Sequence, residues 1–160
     1  MVMRTYTKEH AQSGIDVALP GIECWENQYP DYEIEITIPE YTAICPRTGL
    51  PDFGVIRVSY VPDRWCLELK SLKEYINAFR NLGIFYENAV NRILRDLVAA
   101  CRPASMSVRG EFTPRGGLRS CIEARYARPK RPRSAAKKRR SPQAGASPHS
   151  SRRGSRYARP

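Results

Sequence analysis

Histidine is nearly absent from this chain: His10 and His149 are the two in 160 residues. A histidine-rich metal centre is excluded, and so is a Ser-His-Asp triad within the folded part. No metal site is expected. No apolar run approaches the roughly 20 residues that a membrane span needs, so no membrane partner is expected either. The first thirty residues carry Lys8, Glu9, Asp16, Glu23 and Glu26 and no apolar stretch of the secretory kind, so no signal is expected there. C-x-x-C spacing is missing as well. The five cysteines, Cys24, Cys45, Cys66, Cys101 and Cys121, are odd in number and read as free thiols in a reducing, cytoplasmic setting.

Acidic residues are missing from the C-terminal stretch. Residues 128–160 hold twelve of the 27 Lys and Arg and none of the 16 Asp and Glu. The rest of the chain is therefore nearly neutral, and the net charge of +11 belongs to a tail. That tail also lacks Ile, Leu, Val and Phe, so it cannot bury enough apolar surface to offset its ordering entropy and is expected to be disordered. Clustered Lys and Arg neutralise phosphates without reading sequence, which makes a nonspecific nucleic-acid contact one use of the tail and a solvated extension the other. The chain thus divides into an irregular segment over 1–30, a folded domain over 31–127 and the basic tail over 128–160. With 41% hydrophobic residues, the middle part can support one core.

Periodicity supplies the elements. From 33 to 38, Ile34, Ile36 and Ile38 share one side and Glu33, Glu35 and Thr37 the other, the pattern of a half-buried strand. A Pro/Gly-rich loop is read at 45–54, a strand at 55–61, a turn at Pro62-Asp63 and an extended piece at 65–69. The spacing of Leu72, Tyr75, Ile76 and Phe79 predicts a helix over 70–81. Beyond Gly83, the stripe of Phe85, Ala89, Val90, Ile93, Leu94, Leu97, Val98 and Cys101 predicts a second over 84–101. Pro103 ends it. A strand at 105–113, a turn at Pro114-Arg115-Gly116-Gly117 and a strand at 118–126 form a closing hairpin.

The order ββααββ predicts an α+β fold, an antiparallel sheet with helices on one face. Such a sheet has open edges, and a homo-oligomer is expected to close it and bury its second face. Cys66, Cys101 and Cys121 lie within these elements and are expected to act as small buried hydrophobes. Cys24 fits no pattern.

Three segments could carry chemistry. In TAICPRTGLPDFG (42–54), Cys45 leaves a strand and Asp52 follows seven residues on. A thiol with local electrostatic help and a carboxylate on one rigid loop make a nucleophile and a proton donor. The other reading is a buried cysteine beside a turn-forming aspartate. In LELKSLKEY (67–75), Lys70 and Lys73 share a helix face, which suits either a phosphate or plain solvation, and Glu68 before them is read as strand-borne and pocket-facing. In FRNLGIFYENAVNRIL (79–94), Tyr86 and Glu87 fall in the first turn of a helix. There a carboxylate stabilises the helix or accepts two hydrogen bonds from a guanine-like edge.

Together, CPRTGLPDFG, LELKSLKEY, FRNLGIFYEN and EFTPRGG, in that order, resemble the short, single-module branch of the QueF family, the NADPH-dependent 7-cyano-7-deazaguanine reductases. The likeness runs from about Glu33 to Tyr126. It implies the tunnelling fold (T-fold), a ββααββ unit that assembles into oligomeric barrels. It also implies reduction of the nitrile of 7-cyano-7-deazaguanine to a primary amine with two NADPH, on the route to queuosine in tRNA. By that resemblance, Cys45 is the nucleophile that forms a covalent thioimide and Asp52 the proton donor. Leu67, Glu68, Leu69, Tyr86 and Glu87 contact the substrate, and Lys70, Lys73 and Arg115 the NADPH.

Two positions depart from the family pattern. Tyr86 stands where histidine is usual, and a phenol with pKa near 10 is a poor proton shuttle at pH 7. Glu74 stands where Leu or Tyr is usual, on what should be an exposed helix face. Zinc cyclohydrolases of the same fold are argued against by the lack of histidine. The remaining alternatives are a T-fold enzyme forming an amidine on tRNA and a non-enzymatic RNA-binding oligomer.

Overall fold

The computed structural model describes residues 6–129. The disorder expected of the tail falls on 130–160, outside the described residues. Arg128, assigned to the tail by its charge, belongs instead to the fold: its guanidinium reaches Asp63 at 2.7 Å and the Arg102 carbonyl, and its N–H donates to Ala104 O.

The elements in chain order are α1 (Lys8–Gln12), β1 (Cys24–Glu26), β2 (Ile34–Ile44), β3 (Pro51–Val61), β4 (Trp65–Leu67), α2 (Leu69–Asn77), a 3-10 turn (Ala78–Asn81), α3 (Tyr86–Cys101), β5 (Ser105–Phe112) and β6 (Cys121–Ala127). A four-stranded antiparallel sheet has the order β2-β3-β5-β6, and β1 pairs with β4 in a separate ribbon. The expected ββααββ order holds, with two additions inside the segment read as irregular: the short helix α1 and the strand β1.

One face of the sheet is the core face. Ile56, Val58 and Tyr60 of β3 and Met106, Val108 and Phe112 of β5 are buried under Ala89, Val90, Ile93, Leu97 and Cys101 of α3. These α3 residues lie on the stripe expected from the sequence. The opposite face carries paired charge: Arg57 with Glu35, Arg109 with Glu111, and Arg125 with Glu123. Such a face is stable in water, so the expectation that it must be buried by assembly is not required by its chemistry. Cys121 lies on that outward side of edge strand β6 and is exposed, contrary to the structural role expected of it, whereas Cys66 and Cys101 are buried.

β2 is longer than the alternation suggested, because it contains a bulge. Ile38 pairs with Ile56 and Tyr41 with Gly54, so Pro39 and Glu40 together stand opposite Val55. Proline is tolerated at a bulge, where its missing N–H breaks no ladder bond. The extra residue switches parity. Before it, the even positions 34, 36 and 38 face the core. After it, Tyr41 and Ala43 are the buried ones.

The N-terminal segment is strapped to α3. The buried Arg92 guanidinium donates to the carbonyls of Gly14 and Val17 and pairs with Asp96 at 3.3 Å. Gly14 has φ +76°, and a Cβ there would lie 2.6 Å from the Gly83 carbonyl. The strap can therefore pass this close to the Gly83–Ile84 segment ahead of α3 only as glycine.

Candidate active site

Cys45 follows the last paired residue of β2. Its N–H donates to Leu50 O and its carbonyl accepts from Gly49 N–H, both at 2.9 Å, closing a tight turn over 45–50. The residue is half-buried. Burial pushes the thiol pKa up. Hydrogen bonds from the Thr48 hydroxyl and from the N–H groups of Thr48 and Arg47 outweigh it, and the net shift is below the ordinary value although Asp52 opposes it. A partly exposed thiol held toward thiolate is the reactive form of cysteine.

The end of β2 is also clamped from the side. Ile44 N–H donates to Leu82 O at 2.9 Å and Ile84 N–H to Ile44 O at 3.0 Å, forming a parallel bridge between Ile44 and Gly83. That bridge delivers the start of α3, and with it Tyr86, to the strand that leads into Cys45.

Asp52 lies on β3, opposite Ala43, and not on the loop to which the sequence assigned it. Two residues of alternation separate Ala43 from Cys45, so the bulge turns Cys45 to the face that carries Asp52. Asp52 is 3% exposed. Its Oδ1 accepts from the Tyr86 hydroxyl at 2.7 Å and pairs with Arg115 Nη2 at 2.6 Å, while Arg115 also donates to the Pro51 carbonyl. Among the described residues no hydrogen bond reaches Oδ2. Arg115 arrives on the 113–118 turn, where Gly116 and Gly117 take positive φ.

Tyr86 is held flat on Phe112, ring centroids 3.8 Å apart at 14°. Burial first, then the hydrogen bond to Asp52 and its charge, push the phenol up to about 12, against the opposing Arg115. It is a neutral donor throughout the physiological range. Its hydroxyl is directed at Asp52.

Cys45, Asp52, Tyr86 and Arg115 are thus brought together. Glu87 is next to Tyr86 and exposed, with its side chain in no hydrogen bond or ion pair among the described residues. The others gather at the β4–α2 junction. Leu67 is buried and its N–H donates to the Tyr60 hydroxyl at 3.0 Å, whereas Leu69 is 61% exposed. Glu68 is not the strand-borne, pocket-facing group expected. It is the N-cap of α2, accepting from Lys70 N–H and Ser71 N–H at 2.7 Å each, and those two bonds, Ser71 first, hold its carboxyl below the usual range.

Lys70 and Lys73 are exposed on α2, and Glu74 is exposed as its sequence position implied. Lys73, with Arg80, borders a groove of about 470 Å³ floored by Ile36, Ile38, Leu72 and Ile76; Lys70 does not line it. Three residues around the site escaped the sequence reading: Thr48, Tyr41 and Phe112. Thr48, three residues after Cys45, has the spacing of a turn-capping hydroxyl.

An activated thiol beside a buried carboxylate, on an antiparallel sheet roofed by helices, is the equipment of enzymes that bond covalently to their substrates. Comparison with known proteins narrows this. The family described as QueF-like protein matches residues 51–131. A protein of Elusimicrobium minutum (strain Pei191) named NADPH-dependent 7-cyano-7-deazaguanine reductase is 61% identical over 122 residues, 76% of this chain and 92% of that protein. One of the same name from Chlorobaculum tepidum is 57% identical over 111 residues, 68% of this chain and 95% of its own. The crystal structure of the archaeosine synthase QueF-Like in the apo form superposes with a TM-score of 0.57 at 19% identity, covering 61% of this chain and 95% of that one, a likeness of fold. The chain belongs to the QueF-like family.

Proposed function

We propose that this protein is an NADPH-dependent 7-cyano-7-deazaguanine reductase, converting the nitrile to 7-aminomethyl-7-deazaguanine in queuosine biosynthesis. The observation that carries the chemistry is the meeting of Cys45, lowered in pKa, with buried Asp52 on one face of the β2–β3 hairpin. The Cys45 thiolate attacks the nitrile carbon. A carbon–sulfur bond forms, one π pair moves to nitrogen, and a proton from Asp52 completes the thioimide. Oδ1 is held by Tyr86 and Arg115, so Oδ2 is the oxygen that carries this proton. Tyr86 orients the acid instead of shuttling protons, which accounts for a tyrosine at this position. Glu87, exposed beside it, is free to take the N–H and amino edge of the deazaguanine.

Reduction of a nitrile to an amine needs two hydrides, which NADPH supplies. The groove beside α2 fits a phosphorylated dinucleotide in part of its chemistry: Lys73 offers a cation beside an apolar floor, and Arg80 a second one that pairs with Glu40 at 3.9 Å on the same rim. Arg115, which the resemblance assigns to the cofactor, is bonded to Asp52 in this structure and is better read as support for the acid.

The fold reading is the T-fold. The open edges of β2 and β6 support a homo-oligomer with a closed sheet. Among the described residues no helix is long and apolar enough to cross a membrane, and the five free thiols support a cytoplasmic setting. Amidine formation on tRNA is the second reading, and the fold likeness to an archaeosine synthase is its one support. The two are separated by NADPH oxidation measured with the nitrile added and withheld. Nitrile-dependent oxidation, with a mass gain equal to the whole substrate on Cys45 before NADPH is added, is the expected result. Oxidation that persists in Cys45→Ala would refute the proposal.

A further inference from the structure

Tyr41 is 1% exposed, and among the described residues its hydroxyl is the one buried side-chain polar atom without a hydrogen-bond partner. An unpaired buried hydroxyl is destabilising relative to the bare ring. Packing does not need it. The ring meets Phe79 at 5.7 Å and Phe112 edge-on at 6.1 Å, contacts that phenylalanine would make equally well.

The strand register places Tyr41 relative to Asp52. Tyr41 pairs with Gly54 and Ala43 with Asp52. Opposed residues share a face, so Tyr41 and Asp52 are diagonal neighbours on the core face, within reach of a long side chain. Gly54 contributes no side chain between them; a Cβ there would lie 2.9 Å from the Phe112 ring. Phe112 carries Tyr86 stacked against it and Tyr41 at its edge, so the two phenols flank one ring, and the first of them reaches Asp52. Burial first, then the neighbouring Asp52 and Tyr86, raise Tyr41 well above an ordinary tyrosine, which keeps it a donor.

Resting on the role proposed for Asp52, we infer that Tyr41 is a positioning residue whose hydroxyl is the hydrogen-bond donor reserved for the Asp52 carboxylate as its proton leaves. The step balances without Tyr41 losing its own proton. As the carbon–sulfur bond forms, an electron pair moves to the nitrile nitrogen, the Asp52 proton follows it, and Tyr41 O–H donates to the emptied carboxylate. Tyr41 touches neither the sulfur nor the nitrile.

The test is Tyr41→Phe in the full chain, mixed with 7-cyano-7-deazaguanine and no NADPH, with adduct followed by rapid quench and intact mass. The adduct rate at saturating nitrile should fall about tenfold. The half-saturating nitrile concentration, the final stoichiometry and the absence of any drop in Tm should be as in the parent. A parental rate overturns the inference. A lowered Tm overturns it too, because the hydroxyl would then have a partner in the resting fold.

Asp52→Asn separates this inference from the reading beneath it. Parental adduct formation in Asp52→Asn refutes Asp52 as the acid. A slow Asp52→Asn beside a fast Tyr41→Phe refutes the Tyr41 role alone. In the Asp52→Asn background, Tyr41→Phe should add no further loss.

Discussion

Thr48 makes the most discriminating perturbation, because its hydroxyl is the largest of the influences that pull the Cys45 thiol down. Thr48→Val keeps the shape and removes the donor. A single hydrogen bond of about 0.5–1.5 kcal/mol corresponds to a factor of roughly two to twelve in the thiol–thiolate equilibrium. The sign follows from the charge: losing a donor to sulfur disfavours thiolate, so the Cys45 pKa rises in the variant. At pH 7 the iodoacetamide alkylation rate of Cys45 should fall by that factor, and at a pH where both proteins are fully ionised the rates should converge. Peptide mapping resolves Cys45 from the other four thiols. Exposed Cys121 serves as an internal standard whose rate must not change, and buried Cys66 and Cys101 should stay slow. An unchanged rate at pH 7 would refute the assignment of Thr48. An equal loss at high pH would show occlusion of the sulfur and not a change in its ionisation.

Tyr86→Phe keeps the stack on Phe112 and loses one bond to Asp52, so kcat should fall about tenfold or less, against a far larger loss in Asp52→Asn; equal losses would make Tyr86 itself the acid. Lys73→Ala should raise the KM for NADPH about three- to tenfold while adduct formation without NADPH is unchanged, and Lys70→Ala, outside the groove, should do less. Gly14→Ala forces a side chain into positive φ and against the Gly83 carbonyl, and should cost about 2 kcal/mol, read as a lower urea midpoint at constant m.

The elements that sequence made legible are those whose pattern is local. Ile34, Ile36 and Ile38 announced β2, and the Ala89-to-Cys101 stripe announced α3, because a face buried against one layer leaves a regular signature. The bulge at Pro39 and Glu40 is not legible, since it interrupts the alternation, and the strand pattern stops there although β2 continues to Ile44. Glu68 is ambiguous in sequence for a related reason: a residue at the end of a strand and one that caps the next helix have the same neighbours. Arg92 sits among the charged positions of α3 and is buried only because the strap from Gly14 to Val17 folds over it. At the site, Cys45, Asp52 and Tyr86 were found by motif. Thr48 and Tyr41, one a turn hydroxyl and the other a strand aromatic, carry no sign of their partners until the register is known. Arg115 was located, but its bond to Asp52 comes from the folding back of the last hairpin.

The compactness of the Cys45 turn has a consequence for the protein while it is being made. The turn that activates the Cys45 sulfur is built from residues 45–50 alone, and it can form as soon as the β2–β3 hairpin closes. Tyr86 and Arg115 reach Asp52 only after the chain has been synthesised through the last hairpin and the longer loops have closed, which is the slower event. Between the two, a nascent chain presents a thiol already tilted toward thiolate beside an Asp52 that neither Tyr86 nor Arg115 yet holds. That interval is open to oxidants and stray electrophiles, and the yield of active protein should depend on the reducing power present during synthesis more than on that present afterwards.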